Sequence, residues 1–178
     1  CNASHPDWPC IRDAQYATIR TRLTCGLPLR ADKTFSSFRT LQGAKTPILG
    51  AAKAMQWAHQ PRGWLVLVGK FGVGKTHLAL AAAEELLSRH VPLSFWHSAE
   101  LIDYWRQLIA DSAWDPLSHI RALGERVLIL DDFGAGRITE FAIENLEILM
   151  DQRYRMELPT LITTNYSDAE MEGRLGGR

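Results

Sequence analysis

The sequence predicts an α/β fold, a parallel sheet held between two layers of helices. Short apolar runs recur at 64–68, 92–97, 127–130 and 160–164, and segments of helical period separate them. Two of these runs, Trp64-Leu65-Val66-Leu67-Val68 and Val127-Leu128-Ile129-Leu130, are apolar at every position. Continuous rather than alternating hydrophobicity is the pattern of a strand covered on both faces. Strands alternating with helices imply parallel pairing, because each crossover must return the chain to the same end of the sheet. The chain of 178 residues suits one domain, or one domain with a short appendage. Its composition, 46% apolar and 22% charged, supplies a sizeable core and excludes wholesale disorder.

Residues 1–45 read differently from the rest. Seven basic residues (Arg12, Arg20, Arg22, Arg30, Lys33, Arg39 and Lys45) stand against Asp7, Asp13 and Asp32, and prolines and glycines break the segment into short pieces. It is expected to be a basic arm, or the tail of a preceding domain, with 46–178 as the core. Thr46-Pro47 is a helix-start signal, a hydroxyl cap followed by proline at the first helical position. An alanine-rich helix follows to His59 and ends before Pro61. Helices are expected at Thr76–Arg89, at Ala99–Ile109 with Leu101, Ile102, Trp105 and Leu108 on one side, and at Thr139–Arg155. The first run is strand 64–68, the second Pro92–His97, and the third and fourth lie at 127–130 and 160–164.

Between the first strand and the second helix stands Gly69-Lys70-Phe71-Gly72-Val73-Gly74-Lys75-Thr76. Gly, four residues, then Gly-Lys-Thr is the spacing of a phosphate-binding loop. A triphosphate needs several backbone N–H groups pointing inward, and glycines permit the backbone conformations that aim them. Lys75 can bridge the β- and γ-phosphates, Thr76 can ligate Mg²⁺ through its hydroxyl, and the helix start adds its positive dipole end. Val127–Leu130 then runs into Asp131-Asp132. An acid at the tip of an apolar strand suits a magnesium site, a role that falls to Asp131. Asp132 is expected to orient or deprotonate the attacking water. Glu is more common at that position, so the shorter side chain is expected to slow turnover. A third apolar strand ends in Thr163-Thr164-Asn165, which makes Asn165 the candidate to reach the γ-phosphate or the lytic water.

These residues resemble the AAA+ ATPases of the DnaC/DnaI helicase-loader and IstB-like transposition-helper group. The resemblance runs from about Leu27 to Arg178. Besides the phosphate loop it rests on Lys33-Thr34-Phe35-Ser36-Ser37-Phe38, Leu130-Asp131-Asp132-Phe133-Gly134, Arg153-Tyr154-Arg155 with Leu158-Pro159-Thr160, and Thr163-Thr164-Asn165. It implies a three-layer P-loop NTPase core without its C-terminal lid, and ATP with Mg²⁺ as ligands. It implies assembly as a homo-oligomer on ATP binding, contact with single-stranded DNA, and a replicative helicase or a transposase as partner. Nucleotide would be held by Gly69, Phe71, Gly72, Val73, Gly74, Lys75, Thr76 and His77, with Phe38 near the base. Lys75, Asp131, Asp132 and Asn165 would surround the γ-phosphate, and Thr76 and Asp131 would hold the metal. An arginine completing a neighbour's site falls at Arg178, or at Arg174. The functional expectation is an ATPase that loads a replicative helicase. A transposition helper of the same fold, or a nucleotide-gated adaptor with little turnover, are the alternatives.

The zero formal net charge excludes a globally basic nucleic-acid-binding chain. No apolar run approaches the roughly 20 residues that span a bilayer, and no apolar leader opens the sequence, so a cytoplasmic setting is expected. Cys1, Cys10 and Cys25 form no disulfide framework. Cys1, His5 and Cys10 could be the remnant of a zinc module, although tetrahedral zinc wants four ligands. Trp96, Trp105 and Trp114 could stack on bases, but their periodic apolar neighbours favour the core. Because the chain begins at Cys1 and stops at Arg178, it reads as a piece of a longer one.

Overall fold

The structure is a computed structural model that describes residues 21–28, 32–39, 45–110, 120–121, 123, 126–135, 139–167 and 169–171. Helix α1 (Lys45–His59) leads into β1 (Trp64–Val68), α2 (Lys75–Ser88), β2 (Leu93–His97), α3 (Ser98–Ala110), β3 (Val127–Phe133), α4 (Glu140–Arg155) and β4 (Thr160–Thr164). The four strands pair in parallel in the order β1-β4-β3-β2. Alternation of side chains along each strand sends Ile129 and Leu161 to one face, where α1 and α2 supply Trp57, Leu78, Ala82 and Leu86. Leu128, Leu130 and Ile162 go to the other face, against Leu101 and Trp105 of α3 and Leu146 and Leu149 of α4. The layered parallel α/β fold read from the sequence is the one observed. Buried alanines 79, 81, 82 and 83 let α2 lie close to the sheet.

Two features differ from the sequence reading. Coverage is incomplete at β1, where Trp64, Val66 and Val68 are exposed and only Leu65 and Leu67 join the core. The second concerns the described part of the basic arm. Cys25 and Leu27 are buried in the α1/α2 cluster, and the Phe95 amide donates to Cys25 O at 2.7 Å. Gly26 sits at φ 75°, where a Cβ would come 2.2 Å from Phe95 O, so only glycine fits this approach. Arg22, 4% exposed, grips both carboxylate oxygens of Glu84 on α2 at 2.6 and 2.7 Å and also donates to Pro28 O. Packing therefore extends well before residue 46, because a charge that looks solvated in sequence is neutralised in a bidentate pair. Trp105 is fully buried and Trp96 packs at the cluster edge, which makes both core residues; Trp114 lies outside the described residues. No described helix is long and apolar enough to cross a membrane.

The chain leaves β1 through α2 for the far edge of the sheet, then returns strand by strand to β4 beside β1. At their C-terminal ends β1 leads to α2 on one face while β2 and β3 lead to α3 and α4 on the other, and such a change of face opens a crevice there. The phosphate loop and Asn165 follow the C-terminal ends of β1 and β4, and Asp131-Asp132 lie in the C-terminal part of β3.

Candidate nucleotide site

The loop begins where β1 ends. The Gly69 amide donates to Thr164 O at 3.2 Å, which fastens the loop to the tip of β4. Gly72 and Gly74 take φ of 79° and 94°, in the left-handed region that other residues avoid. Gly74 is the N-cap of α2, with no side-chain cap and no acid in the first turn. The amides there are thus left to an anion, and the helix dipole favours one. Phe71 and Val73 point outward, Phe71 at 82% exposure, so within the loop they contribute backbone rather than side chain.

Lys75 lies across this loop. Its Nζ donates to Gly69 O at 2.8 Å, Lys70 O at 3.0 Å and Asn165 Oδ1 at 2.7 Å. Asn165 in turn donates through Nδ2 to Asp132 Oδ1 at 2.7 Å. Loop, β4 tip and β3 tip are therefore joined in one polar chain, Lys75–Asn165–Asp132. Burial pulls the Lys75 pKa below its ordinary value, and the nearby Asp132 and Asp131 carboxylates offset this only in part.

Asp131 is 1% exposed and accepts on both oxygens. Thr163 Oγ1 donates to Oδ1 at 2.6 Å; Thr76 Oγ1 donates to Oδ2 at 2.9 Å; His97 Nδ1 lies 3.2 Å from Oδ2. Burial opposes ionisation of this carboxyl, yet the bonds from His97, Thr163 and Thr76 outweigh it and hold the pKa below the usual range. The bond to Asp131 raises the His97 pKa against its own partial burial. Hard oxygens of a hydroxyl and an ionised carboxylate, side by side, are the donor set Mg²⁺ prefers.

Two adjacent residues of a regular strand point to opposite faces. Here a bulge changes that. Leu130 pairs with Ile162 and Phe133 with Thr164, so Asp131 and Asp132 together oppose Thr163 alone. Asp132 takes φ of 55°, which a short polar side chain tolerates. Thr163 Oγ1 accepts the Asp132 amide at 2.9 Å while donating to Asp131. Ser98 Oγ donates to Asp132 O and Thr164 Oγ1 to Phe133 O, both at 2.8 Å. The bulge thus aims one carboxylate at Thr76 and the other at Asn165, two partners from the same corner.

The structure brings Lys75, Thr76, Asp131, Asp132 and Asn165 together. Phe38 packs on Gly74, where a Cβ would come 2.5 Å from its ring, and its ring meets that of His77 edge-on at 5.2 Å. His77 Nε2 lies 2.8 Å from Thr34 O, so it joins segment 32–39 to the start of α2. Arg174 and Arg178, and Cys1, His5 and Cys10, lie outside the described residues. Sequence reasoning missed Thr163 and His97. Thr163 is an ordinary strand residue by type, and His97 acquires meaning only through its register beside Asp131 on the neighbouring strand.

A family model described as IstB-like ATP binding protein matches residues 10–177. The replicative helicase loader DnaI of Bacillus subtilis is 29% identical over 110 residues, 61% of this chain and 35% of that protein. A protein of Mycobacterium tuberculosis described as ATP-binding in an insertion sequence is 29% identical over 138 residues, 76% of this chain and 54% of its own length. The helicase loader DnaC of Escherichia coli is 25% identical, with 85% of this chain and 62% of that protein covered. This chain therefore spans only about a third to three fifths of these relatives. Among solved structures, the DnaC helicase loader superposes with a TM-score of 0.70 at 26% identity, over 82% of this chain and 88% of that one. AMPPCP-bound DnaA from Aquifex aeolicus superposes at 0.67 with 16% identity, over 84% and 49%, a likeness of fold alone.

Proposed function

The chain belongs to the IstB-like ATP-binding protein family, and from that premise we propose that it is an AAA+ ATPase domain that hydrolyses ATP to load a replicative DNA helicase. The observation that carries the catalytic part is the Lys75–Asn165–Asp132 chain, with Thr76 on Asp131 beside it. In that reading the loop amides and Lys75 receive the β- and γ-phosphates. Exchange of the Lys75 ammonium from loop carbonyls to phosphate oxygens also releases Asn165. Asn165 then aligns the water or the γ-phosphate, and Asp132 accepts the proton of the attacking water. Thr76 and Asp131 would hold Mg²⁺, which would supply charge neutralisation at the phosphates.

Partner choice rests on the relatives: two helicase loaders favour a replicative helicase. Action on single-stranded DNA, as an ATP-dependent homo-oligomer in the cytoplasm, is part of the same proposal. The insertion-sequence relative favours a second reading, a transposition helper acting with a transposase. An arginine from a neighbouring subunit, Arg178 or Arg174, would complete each site.

Fluorescent ATP binding measured for Lys75→Ala tests the site: affinity falls by about 100-fold, the value of a charge-assisted contact near 3 kcal/mol. Unchanged affinity would remove the nucleotide site. A pull-down with the full-length protein, with and without ATP, tests the partner. ATP-dependent capture of a replicative helicase supports the loader, and capture of a transposase transfers the reading to the helper.

A further inference from the structure

The site as read so far assigns no role to His97. Its imidazole stands at the tip of β2, in register with Asp131 on β3, and its Nδ1 lies 3.2 Å from Oδ2. The Phe95 ring meets it edge-on at 5.8 Å, which limits its rotation. The pair is unequal in exposure: the His97 side chain is 46% exposed and that of Asp131 is 1% exposed. Half-exposed ion pairs add little to stability, so fold stability is a poor account of why this contact is made.

The carboxylate's other partners supply the reason. Both oxygens of a carboxylate must be fixed before its plane is fixed. Thr163 fixes Oδ1 from within the sheet. On Oδ2 the donors are Thr76 and His97. Thr76 belongs to the phosphate loop's helix, and its hydroxyl is itself a candidate metal ligand. His97 alone of these two reaches Oδ2 from the sheet, so its grip does not depend on a group that the ligand engages.

We propose that His97 is a positioning residue that holds the Asp131 carboxylate in its metal-binding orientation, with Thr163 as the opposite jaw. The inference rests on the nucleotide-and-magnesium reading of the site. Partners that orient a ligating carboxylate are worth about 10- to 100-fold in metal affinity when removed.

The test is binding of a fluorescent ATP analogue to the full chain, titrated against Mg²⁺, with Mn²⁺ binding followed by electron paramagnetic resonance as a second readout. In His97→Ala the half-saturating Mg²⁺ rises about tenfold, while affinity without metal stays at the wild-type value. His97→Asn, whose amide nitrogen can donate from near the position of Nδ1, returns it to within about twofold of wild type. An unshifted Mg²⁺ requirement in His97→Ala overturns the proposal. So does a His97→Asn variant as impaired as the alanine, or a loss of metal-free affinity in His97→Ala. A wild-type chain whose nucleotide binding ignores Mg²⁺ would instead sink the metal reading of the site, and this inference with it. The two failures are therefore distinguishable.

Discussion

The two ends of β3 and β4 each bury an ionised side chain, and they do so in opposite ways. At the C-terminal ends Asp131, 1% exposed, is held by side chains: Thr76, Thr163 and a half-exposed His97. At the N-terminal ends Arg153, fully buried, is held mostly by backbone. Its guanidinium donates to Leu123 O at 2.7 Å, Arg126 O at 3.0 Å and Pro159 O at 2.6 Å, and its Nε to Thr160 Oγ1 at 2.8 Å. Among the described residues no carboxylate is paired with it. Burial alone pulls its pKa down to about 10, still high enough to keep it charged at neutral pH. Partners that are backbone cannot leave, so the Arg153 end is a fixed joint between α4, the start of β4 and the turn before β3. Of the side chains at the Asp131 end, Thr76 is also a candidate metal ligand and can turn to one, while Thr163 and His97 keep the carboxylate in place, so this end has a partner to exchange.

Arg153→Met is the variant expected to show the largest effect, and it acts on the joint. Several buried carbonyls lose their donor at once, at about 1–3 kcal/mol each where water cannot replace it. A net loss of about 3–5 kcal/mol would lower the thermal midpoint by about 10 °C. Arg153→Lys recovers only part of this, because an ammonium cannot reproduce the planar fork. Thermal unfolding without nucleotide provides the check. A midpoint within a degree or two of wild type would erase the contrast between the two ends. Lys75→Ala is the complementary variant. It is expected to weaken nucleotide binding about 100-fold while leaving the ligand-free midpoint within about 2 °C, since the Lys70 carbonyl it leaves is exposed and Asn165 keeps its bond to Asp132. A large drop in its midpoint would mean that the polar corner is a structural joint as well.

The contrast also explains what was legible in the sequence. The strands at 64–68 and 160–164 could be placed to the residue, the first because a run apolar at every position has few other uses and the second because its largely β-branched run starts directly after Pro159. That Lys75, Thr76, Asp131 and Asn165 meet in one corner was legible because each stands at a fixed offset from a strand end. The Asp131–Asp132 bulge could not be read, since it exists only as a mismatch between β3 and β4. Thr163 and His97 escaped for the same reason: each matters through a neighbouring strand, not through its own. Arg153 stood out only within the Arg153-Tyr154-Arg155 motif at the end of a helix, and nothing in that spacing discloses its burial. Arg22 likewise counted as part of a basic arm, although Glu84, far along the chain on α2, turns it into an anchor. One-dimensional charge counts carry no information about such distant partners.

Thr163→Val sharpens the comparison at intermediate size. Valine keeps the shape and β propensity but removes both the donor to Asp131 Oδ1 and the acceptor of the Asp132 amide. Leaving these buried groups unmatched is expected to cost about 1–3 kcal/mol. In contrast to Arg153→Met, part of that loss should appear as a higher Mg²⁺ requirement for nucleotide binding. A stability loss with no change in that requirement would make Thr163 a joint residue like Arg153.

The smallest effect is expected beside the joint, on its outer surface. Tyr154 follows Arg153 directly, yet it is 74% exposed and meets the Trp64 ring edge-on at a centroid distance of 6.4 Å. Tyr154→Ser should change stability by no more than about 0.5 kcal/mol, because an exposed edge contact excludes little water. It should leave nucleotide affinity unchanged, since the residue lies at the end of the sheet away from the phosphate loop. A drop in midpoint approaching that of Arg153→Met would show that the end of α4 is held from outside as well as from within. The backbone-bound joint and its outer surface would then be one structural unit.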